Sequence, residues 1–197
     1  MPKIVDAVAR RARVAAAARA VIAREGLEAT SVRRVAREAG SSTTVVTHYF
    51  EDKQALLAAA VEDAYTAAGR RMLQHAEAGL SGLPALRAIL LEALPLDRER
   101  KAEARVWMAF WAAATTQPGL RSVQRDGYRQ WRLLVAGAID DAAERGEMRR
   151  DLDARNEGEH LLCFVDGLLM QATLEPRRLT PARQVAMLDA ALGRLAL

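Results

Sequence analysis

Residues 30–53 read TSVRRVAREAGSSTTVVTHYFEDK, and this stretch predicts two short helices joined by a tight turn. In its first half, apolar residues recur at i, i+3, i+4 and i+7, which is the spacing of one buried helical face. These residues are Val32, Val35, Ala36 and Ala39. Thr30 or Ser31 can cap this helix with a side-chain oxygen, and Gly40 can adopt the left-handed conformation that ends it. The face that carries Arg33 is therefore expected to point to solvent.

The second helix of the stretch, Thr43 to Tyr49, is too short to be stable alone and needs a surface to pack on. Ser42 is its predicted cap, and Val46 and Phe50, four residues apart, are expected to point inward. The residues left facing outward are Thr43, Thr44, Val45, Thr47, His48 and Tyr49. Hydroxyl groups, an imidazole and small apolar groups suit base edges, and the amino end of a helix favours phosphate. This pattern is typical of a helix-turn-helix that binds DNA.

The positive charge of the chain is concentrated in the same region. Residues 1–50 contain nine Lys and Arg against four Asp and Glu, a net charge of +5, whereas the rest of the chain contains 20 against 21, a net charge of −1. The formal charge of +4 thus comes from the first quarter of the sequence. Attraction to DNA phosphates requires such an excess, although a run of charge is more often just a solvated helix face.

A long helix is predicted to follow the helix-turn-helix, with Asp52 as its cap and Lys53 in its first turn. A lysine at this end is unfavourable for the helix dipole, which prefers acidic side chains, so it indicates a partner outside the helix. The inward face of this helix contains Leu56, Leu57, Ala60, Val61, Ala64 and Tyr65. Upstream, a helix with an apolar face between residues 14 and 22 is predicted to end at Gly26 and to follow a basic segment that includes Lys3.

Residues 30–53 resemble the TetR family of one-component bacterial repressors. That family carries T-S/T-V-R-x-I-A-x-x-A-G-V-S before a short recognition helix and Y/H-F-x-x-K-x-x-L after it. Ser41 and Thr44 depart from the pattern, which usually has Val and often has Gly at these places. SSTTVVTHYFEDKQALL, VWMAFWAAATTQPGL and FVDGLLMQATL look most similar to the BetI subgroup, the betaine-operon repressors, which respond to choline. The resemblance covers most of the chain.

This resemblance implies an all-α, TetR-like fold of about nine helices. Residues 1–53 would form a three-helix DNA-binding domain, and residues 54–197 a larger ligand-binding and dimerisation domain. A homodimer formed by the helices near 154–174 and 181–195 would bind a palindromic double-stranded DNA operator and be released by a small-molecule effector. Lys53 would contact a DNA phosphate. The candidate DNA-binding residues are Thr30, Ser31, Arg33, Ser42, Thr43, Thr44, Val45, Thr47, His48, Tyr49 and Lys53.

The remainder of the chain is predicted to be helical and to contain no sheet, because no run of β-branched residues alternates with a period of two. Glycine and proline clusters divide it into helices at about residues 84–94, 98–116, 120–145, 154–174 and 181–195. Pro84 would start the first of these helices, and Thr180 would cap the last. The last two helices are strongly apolar, so each is predicted to be inner core or a partner surface.

Cysteine usage and hydropathy bear on the cellular compartment. The single cysteine, Cys163, excludes an intramolecular disulfide, fits a reducing cytoplasm, and is expected to be a small buried residue. The amino terminus lacks the apolar segment of a signal peptide, and no stretch approaches 18 uninterrupted apolar residues. We therefore expect a cytoplasmic protein without a membrane partner.

Five of the nine aromatic residues fall within 25 positions, between residues 107 and 131. The candidate ligand-binding residues are these five and one from a later helix: Trp107, Phe110, Trp111, Tyr128, Trp131 and Phe164. Aromatic faces attract organic cations, so they could form a cage for a choline-like effector, with Asp166 or Glu103 as the counter-charge. The same residues could equally line a pocket for a neutral apolar effector or fill the core.

The motifs of common enzymes are absent. The sequence contains no P-loop, dinucleotide-binding or nucleophile-elbow pattern, and one cysteine cannot form C-x-x-C. Glu157 and His160 form a single E-x-x-H pair, whereas a di-iron helical bundle needs a second such pair and two more glutamates. We therefore expect no metal, no cofactor and no enzymatic activity. A metalloenzyme using this pair and a non-specific architectural DNA-binding protein remain the alternative functions.

Overall fold

The computed structural model describes the backbone of residues 2–197 and the side chains of residues 7–75 and 77–197. These residues form nine helices: α1 (Pro2–Glu25), α2 (Val32–Glu38), α3 (Thr43–Tyr49), α4 (Lys53–Glu77), α5 (Gly82–Glu92), α6 (Arg98–Ala114), α7 (Pro118–Glu144), α8 (Ala154–Leu174) and α9 (Pro181–Leu192). In this part of the chain, strand-type pairing is limited to one bridge between Met148 and Ala196. The predicted all-α fold is confirmed. The side chain of Lys3 lies outside the described residues.

The helices form two compact units. The first contains the described residues up to Ala67 together with Arg105–Gln124, and the second contains Ala68–Ala104 and Arg125–Leu197. One boundary between these compact units falls inside α4. The functional division into residues 1–53 and 54–197 stays a prediction about which part binds DNA.

Local capping signals determine the helix-turn-helix of the first unit. The Ser31 side chain accepts a hydrogen bond from the backbone N–H of Arg34 and begins α2, while Ser42 does the same for α3 through the N–H of Val45. Gly40 has a φ of 61°, as the turn between the two helices requires. The short α3 is stabilised by burial, because Val46 is 0% and Phe50 2% exposed.

The helices α1 and α4 supply the surface on which the short helices pack. The buried face of α1 includes Val14, Ala17, Ala18, Val21 and Ile22, as the sequence predicted, and α1 ends before Gly26 at a φ of 83°. Asp52 caps α4 by accepting from the N–H of Ala55 at 2.7 Å. An ion pair between Arg19 and Asp63, 2.7 Å long, joins α1 to the amino-terminal half of α4.

The core of the second unit is formed mainly by α5, α7, α8 and α9. The apolar face that the sequence assigned to α8 is buried there, and so is Leu188 of α9. Cys163, expected to be buried, is exposed, because it lies on the opposite face of α8 from this core. α8 thus has two surfaces, one buried in the core and one exposed. The apolar pattern of the sequence alone did not distinguish them.

Three predicted helix ends differ from the structure. Pro84 is the third residue of α5, which begins at Gly82, so Pro84 lies within the first turn but does not start the helix. Pro118, expected to stop a helix, instead begins α7, where its fixed φ and missing N–H are tolerated. The last helix ends at Leu192 and not at Leu195, because Leu195 accepts a hydrogen bond from the N–H of Arg149 beside the bridge at Met148.

The amino end of α5 is capped from a distance. Its N-cap, Ser81, makes no side-chain cap hydrogen bond, and the N–H groups of Gly82 and Leu83 instead donate to the carboxylates of Asp141 and Glu147, each at 2.6 Å. The hydrogen bond from Gly82 is the main cause that lowers the pKa of Asp141. Two acidic groups at a helix amino terminus also interact favourably with its dipole.

Replacing Gly82 by Ala is expected to destabilise the fold by about 2 kcal/mol, since a left-handed alanine and a lost hydrogen bond each cost about 1 kcal/mol. Gly82 has a φ of 59°, and a Cβ there would collide with the Glu147 carboxylate and approach Cδ of Arg145 to 2.9 Å. Gly119→Ala is the control, because a Cβ at Gly119 in α7 meets nothing within 4 Å. Because Gly119 is the second residue of α7, its replacement should change the stability by no more than about 0.5 kcal/mol. Urea denaturation measures both, and equal stability of Gly82→Ala and the parent would contradict the expectation.

Candidate nucleic-acid interface and effector-binding residues

The outer face of α3 presents the side chains that the sequence assigned to it. Thr43, Thr44, Thr47 and His48 are exposed, and Val45 and Tyr49 are half-buried. The rings of His48 and Tyr49 meet edge to face with centroids 5.0 Å apart. Burial of Val46 on the opposite side fixes the rotation of the helix, so this outer face has one defined orientation within its unit.

The threonine hydroxyls of α3 are not equivalent. The Thr47 hydroxyl donates to the backbone carbonyls of Thr43 and Thr44, at 3.1 and 3.2 Å. Within the described residues, no such bond occupies the hydroxyls of Thr43 and Thr44. Thr47 therefore presents chiefly its methyl group, and the first turn of the helix presents hydroxyl groups. The two kinds of group suit thymine methyls and polar base edges respectively.

Thr30 does not belong to this exposed surface. It is 4% exposed, and its hydroxyl donates to the carbonyl of Gly26 at 2.9 Å, which fixes the turn between α1 and α2. Of the two predicted caps of α2, Ser31 is the actual one. We therefore remove Thr30 from the candidate interface. Ser31 and Ser42 remain exposed at the two helix amino ends.

Basic residues near the helix-turn-helix differ in their partners. Arg34 pairs with Glu25, and Arg24 pairs with Glu38 at 2.9 Å. Arg33 is exposed and has no acidic partner among the described side chains. Arg33 is therefore the arginine of α2 whose charge is least compensated within the protein.

Lys53 has a partner of its own in the protein. Its Nζ donates to the backbone carbonyl of Glu28 at 3.2 Å, and the Glu28 carboxylate is 4.0 Å away. The sequence indicated a partner outside the helix, and this carbonyl, in the connection between α1 and α2, is one such partner. The Lys53 side chain is still 43% exposed, so its ammonium group has room for a further acceptor.

The comparison with known families explains this arrangement. Residues 15–60 match the family described as bacterial regulatory proteins, tetR family, and residues 83–197 match the BetI-type transcriptional repressor, C-terminal, family. The second match alone covers more than half of the chain. This chain belongs to the TetR family. It is a DNA-binding transcriptional regulator whose carboxy-terminal domain is of the BetI type, as the sequence indicated.

Relatives with assigned names agree with this membership. The HTH-type transcriptional regulator PksA of Bacillus subtilis (strain 168) is 34% identical over 184 residues, which cover 93% of this chain and 88% of the relative. The HTH-type transcriptional regulator BetI of Escherichia coli (strain K12) is 30% identical over 185 residues, covering 93% and 92% of the two chains. Both relatives are transcriptional regulators, and neither is named as an enzyme.

Solved structures of TetR-type regulators share the fold along nearly the whole chain. A transcriptional regulator from Rhodococcus sp. Rha1 superimposes with a TM-score of 0.81 at 31% identity and covers 94% of this chain and 95% of its own. A regulator from Saccharomonospora viridis, solved in complex with choline, has a TM-score of 0.86 at 23% identity and covers 95% and 97%. The second comparison concerns the fold alone.

The six aromatic residues predicted to bind an effector fall into two sets. Trp107, Phe110 and Trp111 lie on α6 in the first unit, and the others lie in the second unit. In the first set Phe110 is fully buried and is a core residue, while Trp107 is half-buried and meets the Tyr65 ring edge-on with centroids 4.4 Å apart. Trp107 and Trp111, four residues apart, share one face of α6.

The second set consists of Tyr128, Trp131 and Phe164. Trp131 and Phe164 are partly buried and pack against the core of their unit. The Tyr128 hydroxyl donates to the Asp166 carboxylate, and the guanidinium of Arg132 lies 5.6 Å from the centre of the Tyr128 ring. Burial is the largest cause of the pKa shift of the Asp166 carboxyl group, and it raises that pKa. Asp166 thus contacts one aromatic side chain of this set, Tyr128.

Glu103, the other predicted counter-charge, is bound to a residue of the protein. It is 3% exposed, and its two carboxylate oxygens accept from the two Nη atoms of Arg71 at 3.1 and 2.8 Å. This bidentate pair neutralises its charge. Glu103 is therefore a structural ion-pair residue, and its assignment to the effector site was wrong because the arginine is 32 positions away in the sequence.

The E-x-x-H pair does not form a larger cluster. Nδ1 of His160 is 3.4 Å from a carboxylate oxygen of Glu157, and His160 is exposed. Among the described side chains, no three His, Cys, Asp or Glu residues are grouped so that they could hold a metal ion. In the same part of the chain, no helix is both long and apolar enough to cross a membrane.

Sequence reasoning missed four buried polar atoms on three side chains between residues 111 and 124. The indole Nε1 of Trp111 and side-chain atoms of Gln117 and Gln124 are buried without a hydrogen-bond partner. Gln117 and Pro118 looked like a helix stop, and Gln124 like an ordinary polar residue of a solvated face. Gln124 lies on α7 and Gln117 directly before it, and their seven-residue spacing was the signal that could have grouped them.

Proposed function

We propose that this regulator is a repressor that binds a near-palindromic operator as a homodimer and leaves it when a small molecule binds. The observation that carries the proposal is the outer face of α3, which is exposed, fixed in rotation and rich in groups that recognise base edges. The match of residues 83–197 to a repressor-type domain supports the direction of control. Such a protein acts where the operator is, in the cytoplasm.

The proposed dimer uses a second stripe on α8 and α9 that the protomer leaves exposed. On α8, exposed residues recur with helical spacing at Cys163, Met170 and Leu174, the last two 45% and 65% exposed. On α9, Met187 is 37% exposed and lies next to the small exposed residue Ala186. A twofold dimer would carry two α3 helices and would favour a DNA site with the same symmetry. Half-sites would then be separated by one helical turn of about 34–36 Å or a multiple of it.

The residues proposed for base recognition are tested by selection from random double-stranded DNA. Thr43→Ala and Thr44→Ala remove hydroxyls from the first turn of α3 and should each relax the selected sequence at particular base pairs by about 1 kcal/mol. Thr47→Val is the matched control. The Thr47 hydroxyl is bonded to its own backbone and its methyl is kept, so the selected motif should stay unchanged. An unchanged motif in both alanine variants would contradict this placement of the recognition helix.

The charge of Lys53 is expected to act on all DNA sequences alike. Lys53→Ala should weaken binding to operator and random DNA in parallel and reduce the salt dependence by about one phosphate per half-site. Tyr49→Phe should behave similarly, without changing the selected motif. Titration at several salt concentrations measures the slope, and a sequence-dependent loss for Lys53→Ala would show that it contacts bases. DNA footprinting distinguishes this regulator from the alternative, an architectural protein, because an architectural protein would protect the DNA continuously.

The effector is proposed to be an organic cation bound near Asp166, Tyr128, Trp131 and Phe164. The support is the half-buried Asp166 carboxyl group, which accepts from the Tyr128 hydroxyl in the unit that also holds Trp131 and Phe164, together with the choline bound in a regulator of the same fold. A desolvated ammonium on such rings gains about 2 kcal/mol or more. Calorimetry with choline and with its uncharged carbon isostere, repeated on Trp131→Leu, is the direct measurement. Equal binding of the isostere would show that the protein does not recognise the positive charge. It would not contradict the proposed role as a repressor.

A further inference from the structure

Thr30 closes the turn between α1 and α2 with two hydrogen bonds. Its hydroxyl donates to the carbonyl of Gly26 at 2.9 Å, and its backbone N–H donates to the carbonyl of Leu27 at 3.1 Å. Thr30 is 4% exposed, and Gly26 begins the turn with a left-handed φ of 83°. Because Thr30 is bonded to the two carbonyls that precede Glu28, this turn constrains the direction of the Glu28 carbonyl.

The carbonyl of Glu28 is the group that holds the Lys53 ammonium. Lys53 is the first residue of α4, and its Nζ donates to this carbonyl at 3.2 Å, across 25 positions of sequence. The Glu28 carboxylate is farther away, at 4.0 Å, and its side chain is 100% exposed. An exposed ion pair of this kind contributes little, so the backbone carbonyl determines where the ammonium lies.

A lysine that is already held binds a phosphate with higher affinity than a free one. Its side chain is a flexible four-carbon stem, and immobilising such a side chain on binding costs affinity. An ammonium group has three N–H donors, so a bond to one carbonyl leaves two of them for a further acceptor. The Lys53 side chain is 43% exposed, which leaves it accessible to DNA. The freedom that the turn has already removed is then not lost again when DNA binds.

We propose that Thr30 is a positioning residue for DNA binding. By fixing the turn that presents the Glu28 carbonyl, it holds the Lys53 ammonium where a DNA phosphate accepts from it. Thr30 acts through the turn and not by touching DNA, because its side chain is buried. The Glu28 carboxylate has the opposite effect, since its negative charge would lie near the same phosphate. This role of Thr30 rests on the phosphate contact proposed for Lys53.

The position of the Lys53 ammonium can be tested without DNA. The chain has three lysines, so a nitrogen–proton NMR spectrum of their ammonium groups is simple, and Lys53→Arg assigns one signal by its loss. The order parameter of that signal should fall in Thr30→Val, which removes the hydroxyl and keeps the shape of the side chain. Thr66→Val is the matched control, because the Thr66 hydroxyl makes the same kind of bond, to the carbonyl of Glu62 at 2.8 Å, further along α4. An unchanged order parameter in Thr30→Val would overturn the proposal.

Titration of the full chain with DNA measures the consequence for binding. The probe is a mixed-sequence duplex, because a phosphate contact carries no sequence information. Thr30→Val should weaken binding roughly three- to tenfold for each protomer that contacts the duplex, the cost of immobilising one long side chain. It should have no effect in the Lys53→Ala background. A loss of the same size in that background would show a general distortion of the helix-turn-helix and would overturn the positioning role.

Two further variants keep the result interpretable if thermal unfolding shows that Thr30→Val does not fold. Thr30→Ser retains the hydroxyl, so its Lys53 order parameter and its DNA binding should match those of the parent. Glu28→Gln retains the backbone carbonyl and removes an exposed negative charge, so it should bind the duplex about twofold more tightly. Weaker binding by Glu28→Gln would show that the carboxylate and not the carbonyl positions Lys53, and this too would overturn the proposal.

Failure of this inference and failure of the phosphate contact give different results. If Lys53→Ala binds the duplex as tightly as the parent, the proposed phosphate contact is wrong and the role of Thr30 is lost with it. If Lys53→Ala weakens binding and a folded Thr30→Val does not, the phosphate contact stands and the positioning role alone is wrong. Neither measurement uses an operator or an effector, so the proposed repressor role is tested independently.

Discussion

Replacing Arg71 by Met is expected to destabilise the protein by about 3–5 kcal/mol, the usual effect of removing one member of a buried ion pair. Arg71 on α4 donates from Nε to Glu92 at 2.5 Å and forms the bidentate pair with Glu103. The carboxylate side chains are only 7% and 4% exposed, so without the guanidinium both buried acids would lose a direct ion pair, although Glu92 keeps His75 at 3.1 Å and Arg100 at 3.7 Å. The same interactions raise the pKa of Arg71, which keeps it charged at any pH at which the protein folds.

The neighbouring arginine provides the control for this measurement. Arg70 is exposed on the same helix, and Arg70→Met should change the free energy of unfolding by no more than about 0.5 kcal/mol. The double variant Arg71→Met, Glu103→Gln should recover part of the loss because it removes one uncompensated charge. Urea denaturation at one fixed protein concentration measures all three, which matters because subunit association adds to stability. A loss of less than about 1 kcal/mol in the free energy of unfolding of Arg71→Met would show that the burial of Glu92 and Glu103 does not depend on Arg71.

Placing a charge on the exposed stripe of α8 is expected to convert the proposed dimer into protomers and to lower operator affinity roughly 10²–10⁴-fold. That factor is the advantage gained when two linked modules bind one ligand. In Met170→Lys the lysines of two subunits would meet near the twofold axis, and burial of unpaired like charges opposes association. The residue is 45% exposed in the protomer, so the protomer itself should fold normally.

A charge on an exposed residue elsewhere shows whether the effect is specific. Leu73 on α4 is 58% exposed, and Leu73→Lys should keep both the association and the operator affinity of the parent. Analytical ultracentrifugation at micromolar concentration and operator titration report the two properties. A parent protein that sediments only at its chain mass of 21.5 kDa would refute the proposed dimer, and a Met170→Lys dimer of unchanged affinity would move the interface to another surface.

Most helices of this protein follow from local sequence signals. The predicted span of α8 agrees with Ala154–Leu174, and Ser31, Ser42 and Thr180 cap the helices that they were expected to cap. Caps, glycine stops and apolar periodicity act within a few residues, so reading the chain in order is sufficient to find them. The helix ends at Pro84 and Pro118 were predicted wrongly because proline is acceptable anywhere in the first turn of a helix.

Side-chain roles were harder to predict than helices. The outward set on α3 was correct because the burial of Val46 and Phe50 leaves a helix of seven residues with one outer face. Thr30 and Ser31 could not be separated, because either can cap a helix by itself. For Cys163, composition favoured burial, whereas the rotation of α8 against the core decided its exposure.

The sequence by itself determined most of the helices, the turn at Gly40, the exposed face of α3 and, through its motifs, the family. Tertiary structure alone decided that Asp141 and Glu147 cap α5, 59 and 64 residues away from their partners, and that Arg71 neutralises Glu103. The physical reason is the range of the interactions: a capping bond or a helical face connects neighbours in the chain, whereas a buried ion pair or a distant cap exists only once folding brings its partners together.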